Sequence, residues 1–170
     1  RLAFSTVWEL TPSAEVVNVR FFKSVIASKA AFTYEEAQNR KDDLSLNDAI
    51  TESIRLLNDM AIKLRRGRME AGALNLASPE VRIHLDSAES SAPIDVEQKE
   101  MRETNSLVEE FMLLANTSVA RRIYEAYPTT GVLRRHAPPP ADNFETLQDI
   151  LKKRRGMDLD VSSSGALAAS

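Results

Sequence analysis

The stretch NSLVEEFMLLAN, residues 105–116, decides how this chain is expected to fold. Placed on a helix at about 100° per residue, its apolar side chains and those that follow cover well over half of the circumference. These side chains are Leu107, Val108, Phe111, Met112, Leu114, Ala115, Val119 and Ile123. Because a surface helix has a wide polar face, a helix so extensively apolar is predicted to be buried.

Three polar side chains lie in one narrow stripe at the edge of this apolar sector. They are Asn105, Glu109 and Asn116, whereas Glu110 falls about 100° further round the helix. An unpaired carboxylate or amide in a protein interior costs several kcal/mol, so a buried polar stripe needs partners. The stripe is therefore expected either to brace the fold through hydrogen bonds or to face a ligand.

Composition sets the limits of the prediction. The chain has 170 residues, 43% of them apolar, and a net charge of −3, which suits one domain or a large part of one. This net charge does not predict nucleic-acid binding, although a local arrangement of charged residues can override the net charge. No cysteine is present, which excludes thiolate metal sites, and His84 and His136 are too few for a histidine-built zinc site without carboxylates. No apolar run approaches the ~18 residues that cross a bilayer, so no membrane partner is expected.

Periodicity and turn signals predict an α+β fold of antiparallel β-hairpins packed with long buried and amphipathic helices. The predicted strands and loops are a hairpin of residues 1–10 and 16–25, β-like runs at 74–76 and 81–85, a polar loop at 86–93 and a short strand at 132–134. The predicted helices run from a capping box at Thr33 and Glu36 to about residue 40, from about 47 to 70, from about 96 to 127 and from about 143 to 155. No repeat or linker divides the chain into two domains.

Both ends of the chain lack the usual features of a domain boundary. An alternating strand is already under way at Arg1, and the final SSSGALAAS is either a frayed tail or the opening of a helix. We therefore expect residues 1–170 to be one part of a larger domain, truncated at both ends.

The familiar catalytic motifs are absent. The sequence contains no phosphate-binding GxxxxGK[ST], no GxGxxG, no HExxH and no GxSxG. The pair Asp42 and Asp43 is interpreted as a solvated helix end rather than a metal site. The basic run KLRRGR, residues 63–68, suits a helix C-terminus, and contact with an RNA backbone is the alternative.

Five motifs in series resemble the ribonuclease II (RNB) family, and most closely those members that act in the eukaryotic RNA exosome. The motifs are RLAFS (1–5), TYEEAQ (33–38), GALNLASPE (72–80), EEFMLLAN (109–116) and LRRHAPPP (133–140). No single motif is specific, but their order and spacing together are. The resemblance covers nearly the whole chain.

The resemblance implies a 3′–5′ exoribonuclease that hydrolyses single-stranded RNA to nucleoside 5′-monophosphates with Mg²⁺. In the family, an aspartate cluster upstream of the RLAFS strand holds the metal, so no catalytic residue and no metal ligand is expected within this chain. Implied partners are single-stranded RNA and the core subunits of an RNA exosome. The implied location is the nucleus and nucleolus, and also the cytoplasm. The alternative is a non-catalytic RNB-fold RNA-binding or scaffold protein.

Two residues match family positions that hold the 3′-terminal nucleotide. Tyr34 corresponds to the tyrosine that packs near this nucleotide, where a phenol offers a stacking face and a hydroxyl donor. Glu109 corresponds to the glutamate that contacts the terminal ribose, where a carboxylate accepts a hydrogen bond from the 2′-hydroxyl. The alternative for Tyr34 is a purely structural role, in which its aromatic side chain packs on the hairpin.

Three further residues are candidate RNA contacts. Asn105 and Asn116 are predicted to orient Glu109 or the RNA backbone, with simple packing as an equal alternative for Asn116. Arg134 and His136 fit the family's Arg-x-His segment near the RNA channel. The favoured role of His136 is that of a hydrogen-bonded core histidine, and His84 is expected on the surface.

Overall fold

The computed structural model describes residues 1–74, 81–87, 90–98, 101–140 and 142–170. Its elements, in chain order, are β1 (Leu2–Leu10), β2 (Val16–Val25), α1 (Tyr34–Asp42), α2 (Ala49–Glu70), β3 (Val81–Ser87), β4 (Ser90–Gln98), α3 (Glu103–Ala126), α4 (Asp142–Arg155) and α5 (Ser164–Ala169). Two antiparallel hairpins, β1–β2 and β3–β4, accompany the helices. The predicted α+β class is confirmed.

The first hairpin forms where alternation predicted it. β1 and β2 pair antiparallel from Leu2 opposite Val25 to Leu10 opposite Val16, with an irregularity next to Glu9. The turn closes because the Ala14 N–H donates to the Thr11 carbonyl over 2.9 Å, and Ala14 adopts a positive φ of 67°. The hairpin packs on α3 through Trp8, whose indole nitrogen donates to the Ser118 hydroxyl over 3.1 Å.

Side-chain caps fix the starts of α1 and α2. The predicted capping box is present: the Thr33 N–H donates to the Glu36 carboxylate over 2.7 Å, and the Glu36 N–H donates to the Thr33 hydroxyl over 3.2 Å. Asp48 caps α2 by accepting from the N–H groups of Ile50 and Thr51. Both helices begin within two residues of their predicted positions, because these signals are local.

The end of α2 meets the C-terminal helix. Gly72 follows α2 with a positive φ of 89°, a conformation in which glycine commonly ends a helix. A Cβ placed on Gly165 would lie 3.2 Å from the Gly72 Cα, so a larger residue would need the backbone at Gly72 to shift by a few tenths of an ångström. The Ser164 hydroxyl donates to the Gly72 carbonyl over 2.9 Å. The C-terminal segment therefore forms the short helix α5 and docks on the end of α2.

Four predictions about secondary structure are wrong or lie outside the described residues. The predicted loop at 86–93 and the first residues of the predicted helix at 96–127 belong to β3 and β4, which pair from Val81 opposite Gln98, so α3 begins only at Glu103. Residues 132–134 form no strand, because no neighbouring strand pairs with them in the described part of the chain. The run at 74–76 lies largely outside the described residues.

The core lies between α2, α3 and the first hairpin, and it is smaller than predicted. α3 is not enclosed, since Met112 is 60% exposed and Val108 is 36% exposed. On α2 the buried residues are Thr51, Asn58 and Ala61, whereas Leu57 is 42% exposed. The apolar surface of α3 exceeds what the described elements cover. Among the described residues, no helix combines the length and apolarity that a bilayer crossing requires.

Candidate nucleic-acid interface

α3 carries two polar surfaces that face different surroundings. Thr104 and Glu110 are each only 3% exposed and point towards α1 and α2. The predicted stripe lies on another side of the helix, where Glu109 and Asn116 are exposed and Asn105 is half-buried. The prediction of a buried stripe is therefore wrong, although the three residues do share one side of α3.

Glu110 forms a bidentate ion pair with Arg68 of α2. The Arg68 Nε donates to Glu110 Oε2 over 3.1 Å, and Nη2 donates to Oε1 over 2.5 Å. These hydrogen bonds raise the pKa of the Arg68 guanidinium, and the charge of Glu109 adds to the effect. Such a pair fixes α3 against α2, because its two parallel bonds restrict both distance and orientation. Glu109 therefore lies near the pair while remaining accessible to a ligand.

The start of α3 is joined to the start of α1. The Thr104 hydroxyl donates to the Tyr34 carbonyl over 2.9 Å, and the Thr104 N–H donates to Gln38 Oε1 over 3.2 Å. Tyr34 is the first residue of α1 and is 47% exposed. The Asn105 side-chain oxygen accepts from the Arg102 N–H over 3.1 Å, so Asn105 takes part in capping α3. Tyr34 and Asn105 thus lie at the same end of α3.

A second set of polar contacts surrounds this junction. Lys41 pairs with Glu103 over 2.8 Å, and the Asn58 amide donates to the same carboxylate over 3.2 Å. The hydrogen bond from Lys41 lowers the pKa of Glu103. A longer pair joins Arg102 to Glu35 over 3.7 Å. These contacts tie α1, α2 and α3 together next to Tyr34.

Asn116 and Arg134 lie at the other end of the stripe. Both line a groove of about 650 Å³ between α3 and the irregular segment that follows Gly131. His136 lines the same groove and is exposed, so its predicted role as a core histidine is wrong. The close return of the chain requires Gly131, where a Cβ would lie 2.8 Å from the Tyr127 carbonyl oxygen. The structure brings Asn116 and Arg134 to one groove, and Asn105 and Tyr34 to the opposite end of the stripe.

The basic run at residues 63–68 does not act as one surface. Arg68 is engaged by Glu110, and Lys63 donates to the Pro12 carbonyl and pairs with Asp59. Arg65 and Arg66 are exposed. The run is therefore divided between structural contacts and solvent.

Sequence reasoning missed three features that the fold creates. Thr104 carries no recognisable signal, because its partners are 66 and 70 residues away. The Glu110 pair had one available signal, a carboxylate within about 60° of Leu107 and Leu114 on the helical wheel. A third feature is a groove of about 740 Å³ between β2 and α3, whose lining includes Arg20, Arg121 and Arg122. Guanidinium groups so arranged suit phosphate contacts.

The acidic residues of the described part of the chain do not form a site that would hold Mg²⁺. Among the described residues, no three His, Asp or Glu side chains converge on a point where a metal ion would fit. Asp42 accepts from Lys41 and Gln38, and Asp43 accepts from Ser45. These contacts match the predicted role of the pair as a helix end.

A comparison with known families decides the membership of this chain. The model of the RNB domain matches residues 1–170. The chain belongs to the RNB domain family. The predicted resemblance is thereby confirmed.

Among the relatives of this RNB chain are two eukaryotic proteins. The exosome complex exonuclease dis3 of Schizosaccharomyces pombe is 56% identical over 170 residues, which are 100% of this chain and 17% of that protein. The human exosome complex exonuclease RRP44 is 51% identical over 166 residues, which are 98% of this chain and 17% of that protein. The chain therefore spans about a sixth of the length of these relatives.

The fold is also found in a solved bacterial structure. Mycoplasma genitalium RNase R in complex with ribose-methylated single-stranded RNA matches with a TM-score of 0.81 at 18% identity, over 99% of this chain and 27% of that chain. Its apo form matches with a TM-score of 0.79 at 17% identity, over 99% of this chain and 27% of that chain. At this level of identity the match concerns the fold alone.

Proposed function

We propose that this RNB chain forms part of the RNA-binding surface of a 3′–5′ exoribonuclease that hydrolyses single-stranded RNA to nucleoside 5′-monophosphates. The family match over residues 1–170 supports the proposal, as do relatives that are named exosome complex exonucleases. Its structural support is the exposure of Glu109 beside a neighbour, Glu110, that is fully engaged.

The terminal ribose is the proposed ligand of Glu109. A carboxylate accepts a hydrogen bond from a 2′-hydroxyl, which deoxyribose lacks, so this contact distinguishes RNA from DNA. Glu109 is accessible, and it stands on a helix whose orientation the Arg68–Glu110 pair fixes. A fixed helix lowers the cost of ordering this contact on binding, because the backbone that carries the carboxylate is already in place.

Tyr34 is the proposed platform for the 3′-terminal base. Its side chain is 47% exposed at the first position of α1, and its backbone is joined to Thr104. Stacking on an aromatic ring accepts every base, which suits an enzyme that degrades RNA without regard to sequence.

Asn105, Asn116 and Arg134 are proposed to contact the RNA backbone. Asn105 uses its side-chain oxygen to cap α3, which leaves its amide N–H groups outside that bond. Asn116 and Arg134 line the groove at the far end of the stripe. An exposed guanidinium and an amide are both suitable donors to phosphate oxygens.

The metal of this reaction is proposed to be held by residues that are not in this chain. Mg²⁺ would activate the attacking water and stabilise the leaving oxygen when bound. The described residues supply no fitting ligand set. The role of this chain is accordingly to bind and orient the RNA end. The proposed setting is association with exosome core subunits, in the nucleus, nucleolus and cytoplasm.

The proposal is tested by incubating the full-length protein with 5′-labelled single-stranded RNA and Mg²⁺ and separating the products by size. A ladder that shortens from the 3′ end is expected, and the 170-residue chain alone is expected to leave the RNA intact. Cleavage by the 170-residue chain alone would show that its own carboxylates bind metal. An inactive full-length protein that still binds RNA would favour the scaffold alternative.

A further inference from the structure

Thr104 connects the two helices that carry the proposed contacts to the terminal nucleotide. It is 3% exposed at the start of α3, and it uses both of its donors on α1. The hydroxyl donates to the Tyr34 carbonyl over 2.9 Å, and the backbone N–H donates to Gln38 Oε1 over 3.2 Å. Tyr34 and Gln38 are one turn apart on α1, so the two bonds meet the same side of that helix.

The position of Thr104 gives this junction two hydrogen bonds at a buried residue. The first N–H groups of any helix have no partner within that helix, and a capping side chain or water normally accepts their hydrogen bonds. Thr104 instead donates its N–H to a side chain of another helix. A carbonyl oxygen has two lone pairs, so the Tyr34 carbonyl accepts from Thr104 without losing its place in α1. Since the site is buried, water does not readily replace a lost bond.

Two neighbouring ion pairs include exposed carboxylates, and neither pair includes Tyr34 itself. Lys41 pairs with Glu103, whose side chain is 56% exposed, and Arg102 pairs with Glu35, whose side chain is 63% exposed. Exposed pairs of this kind fix geometry weakly, because solvent screens them. Asn58 is buried as well, but its amide bonds the Glu103 carboxylate, whereas Thr104 is bonded to the backbone of Tyr34 itself.

We propose that Thr104 is a positioning residue that fixes the separation between Tyr34 and Glu109. Glu109 follows Thr104 by five residues on α3, a rise of about 7.5 Å. Through Thr104, the helix that carries the proposed stacking platform is joined to the helix that carries the proposed ribose contact. This proposal rests on the proposed function, because it assigns a purpose to the geometry of the same two residues.

The test uses Thr104→Val and Thr104→Ser in the full-length protein. Valine removes the hydroxyl but keeps the shape, and serine restores the hydroxyl. The matched control is Thr146→Val, because Thr146 is an exposed threonine of α4 and is not among the residues that line the grooves beside α3. The substrates are single-stranded RNA and the same strand with a 3′-terminal deoxyribose, and kcat and KM are measured for each.

Thr104→Val is expected to lower kcat on the all-ribose strand about tenfold, because a small misplacement of a binding group costs much of the rate. Its KM for long RNA should stay within about twofold, since a long strand has many other contacts. The preference for a terminal ribose should fall, and Thr104→Ser and Thr146→Val should behave like the wild type. In a double-mutant cycle, Thr104→Val should add little to Tyr34→Ala.

Two outcomes would overturn the positioning role. An equal loss on both substrates, in proportion to a lower folded fraction, would show that Thr104 acts only on stability. Unchanged discrimination in Thr104→Val, together with altered discrimination in Glu109→Ala, would remove the positioning role and leave the proposed function intact. If Glu109→Ala itself leaves discrimination unchanged, the proposed ribose contact fails, and the positioning role fails with it.

Discussion

Glu109 and Glu110 are the same residue type at neighbouring positions of α3, yet the fold gives them opposite surroundings. Glu110 is 3% exposed and forms two hydrogen bonds with Arg68, whereas Glu109 faces solvent. The difference arises from about 100° of rotation between successive helical residues. A single step along the helix therefore separates a carboxylate that maintains the structure from one that remains available to a ligand.

The two carboxylates also differ in their energetics. Burial of Glu110 removes its hydration, and the paired guanidinium must offset that loss. Glu109 keeps its hydration until a ligand replaces it. Removing a partner of Glu110 should therefore change stability, whereas removing Glu109 should change recognition.

The largest expected effect concerns the partner of Glu110. Arg68→Met would leave a buried carboxylate unpaired, so we expect the free energy of unfolding to fall by about 3 kcal/mol. Glu110→Gln should cost less, because the Arg68 side chain is 32% exposed and can recover hydration. Urea unfolding of the purified protein measures both changes, with exposed Arg66→Met as the control. Equal losses of unfolding free energy for Arg68→Met and Arg66→Met would contradict the structural role assigned to the Arg68–Glu110 pair.

The next effect concerns Tyr34, the proposed stacking platform for the 3′-terminal base. Tyr34→Ala should slow removal of the last few nucleotides by a factor that corresponds to about 1–3 kcal/mol, the contribution of one stacked base. Binding of long RNA should change much less. Single-turnover cleavage of short and long strands measures the first effect, and filter binding measures the second. A matching loss in long-strand affinity would place Tyr34 elsewhere on the RNA path.

A smaller effect is expected at the far end of the polar stripe. Arg134→Gln should weaken RNA binding and reduce the slope of log K against log salt by about 0.7, the value for one phosphate contact on a single strand. The control is Arg135→Gln, since Arg135 is exposed but is not among the residues that line the groove. Binding titrations over a range of salt concentrations give both slopes. Identical slopes for the two variants would remove Arg134 from the interface.

The smallest expected effect concerns Asp48, an exposed carboxylate that is hydrogen-bonded within the fold. Glu109, by contrast, is an exposed carboxylate that is available to a ligand. Hydrogen bonds from Thr51 and Arg40 lower the pKa of Asp48 below its usual 3.8. A lowered folded-state pKa stabilises the fold above about pH 4, and this contribution is lost as the pH falls further towards the folded-state pKa. Melting temperatures between pH 5 and pH 2 should therefore fall less steeply for Asp48→Asn than for the wild type. Parallel curves would show that Asp48 contributes nothing through its charge.

The sequence predicted those parts of the fold that depend on local signals. The alternation in residues 1–25 predicted the first hairpin, and the Thr33–Glu36 box predicted the start of α1, because each pattern contains its own hydrogen-bond partners. The strand at Ser90–Gln98 was missed because Pro93 and the acidic residues around it resemble a loop. Only its pairing with β3 reveals the strand.

The sequence identified residues of the candidate site but did not predict how they are buried or which residues they contact. The helical wheel correctly grouped Asn105, Glu109 and Asn116 on one side of α3, but it reports apolarity rather than contact. It therefore predicted burial where Glu109 and Asn116 are exposed. The bonds of Thr104 with α1 and of Glu110 with α2 join residues more than 40 positions apart, and no local pattern contains that information.

The central claim is that Glu109 reads the terminal ribose while Glu110 holds the helix. It is tested most directly by the ratio of cleavage rates for strands that end in ribose and in deoxyribose, measured for full-length wild type, Glu109→Ala and Glu125→Ala. Glu125 is an exposed glutamate near the other end of α3 and serves as the matched control. The account predicts that the ratio falls towards one in Glu109→Ala and stays at the wild-type value in Glu125→Ala. A wild-type ratio in Glu109→Ala would contradict it.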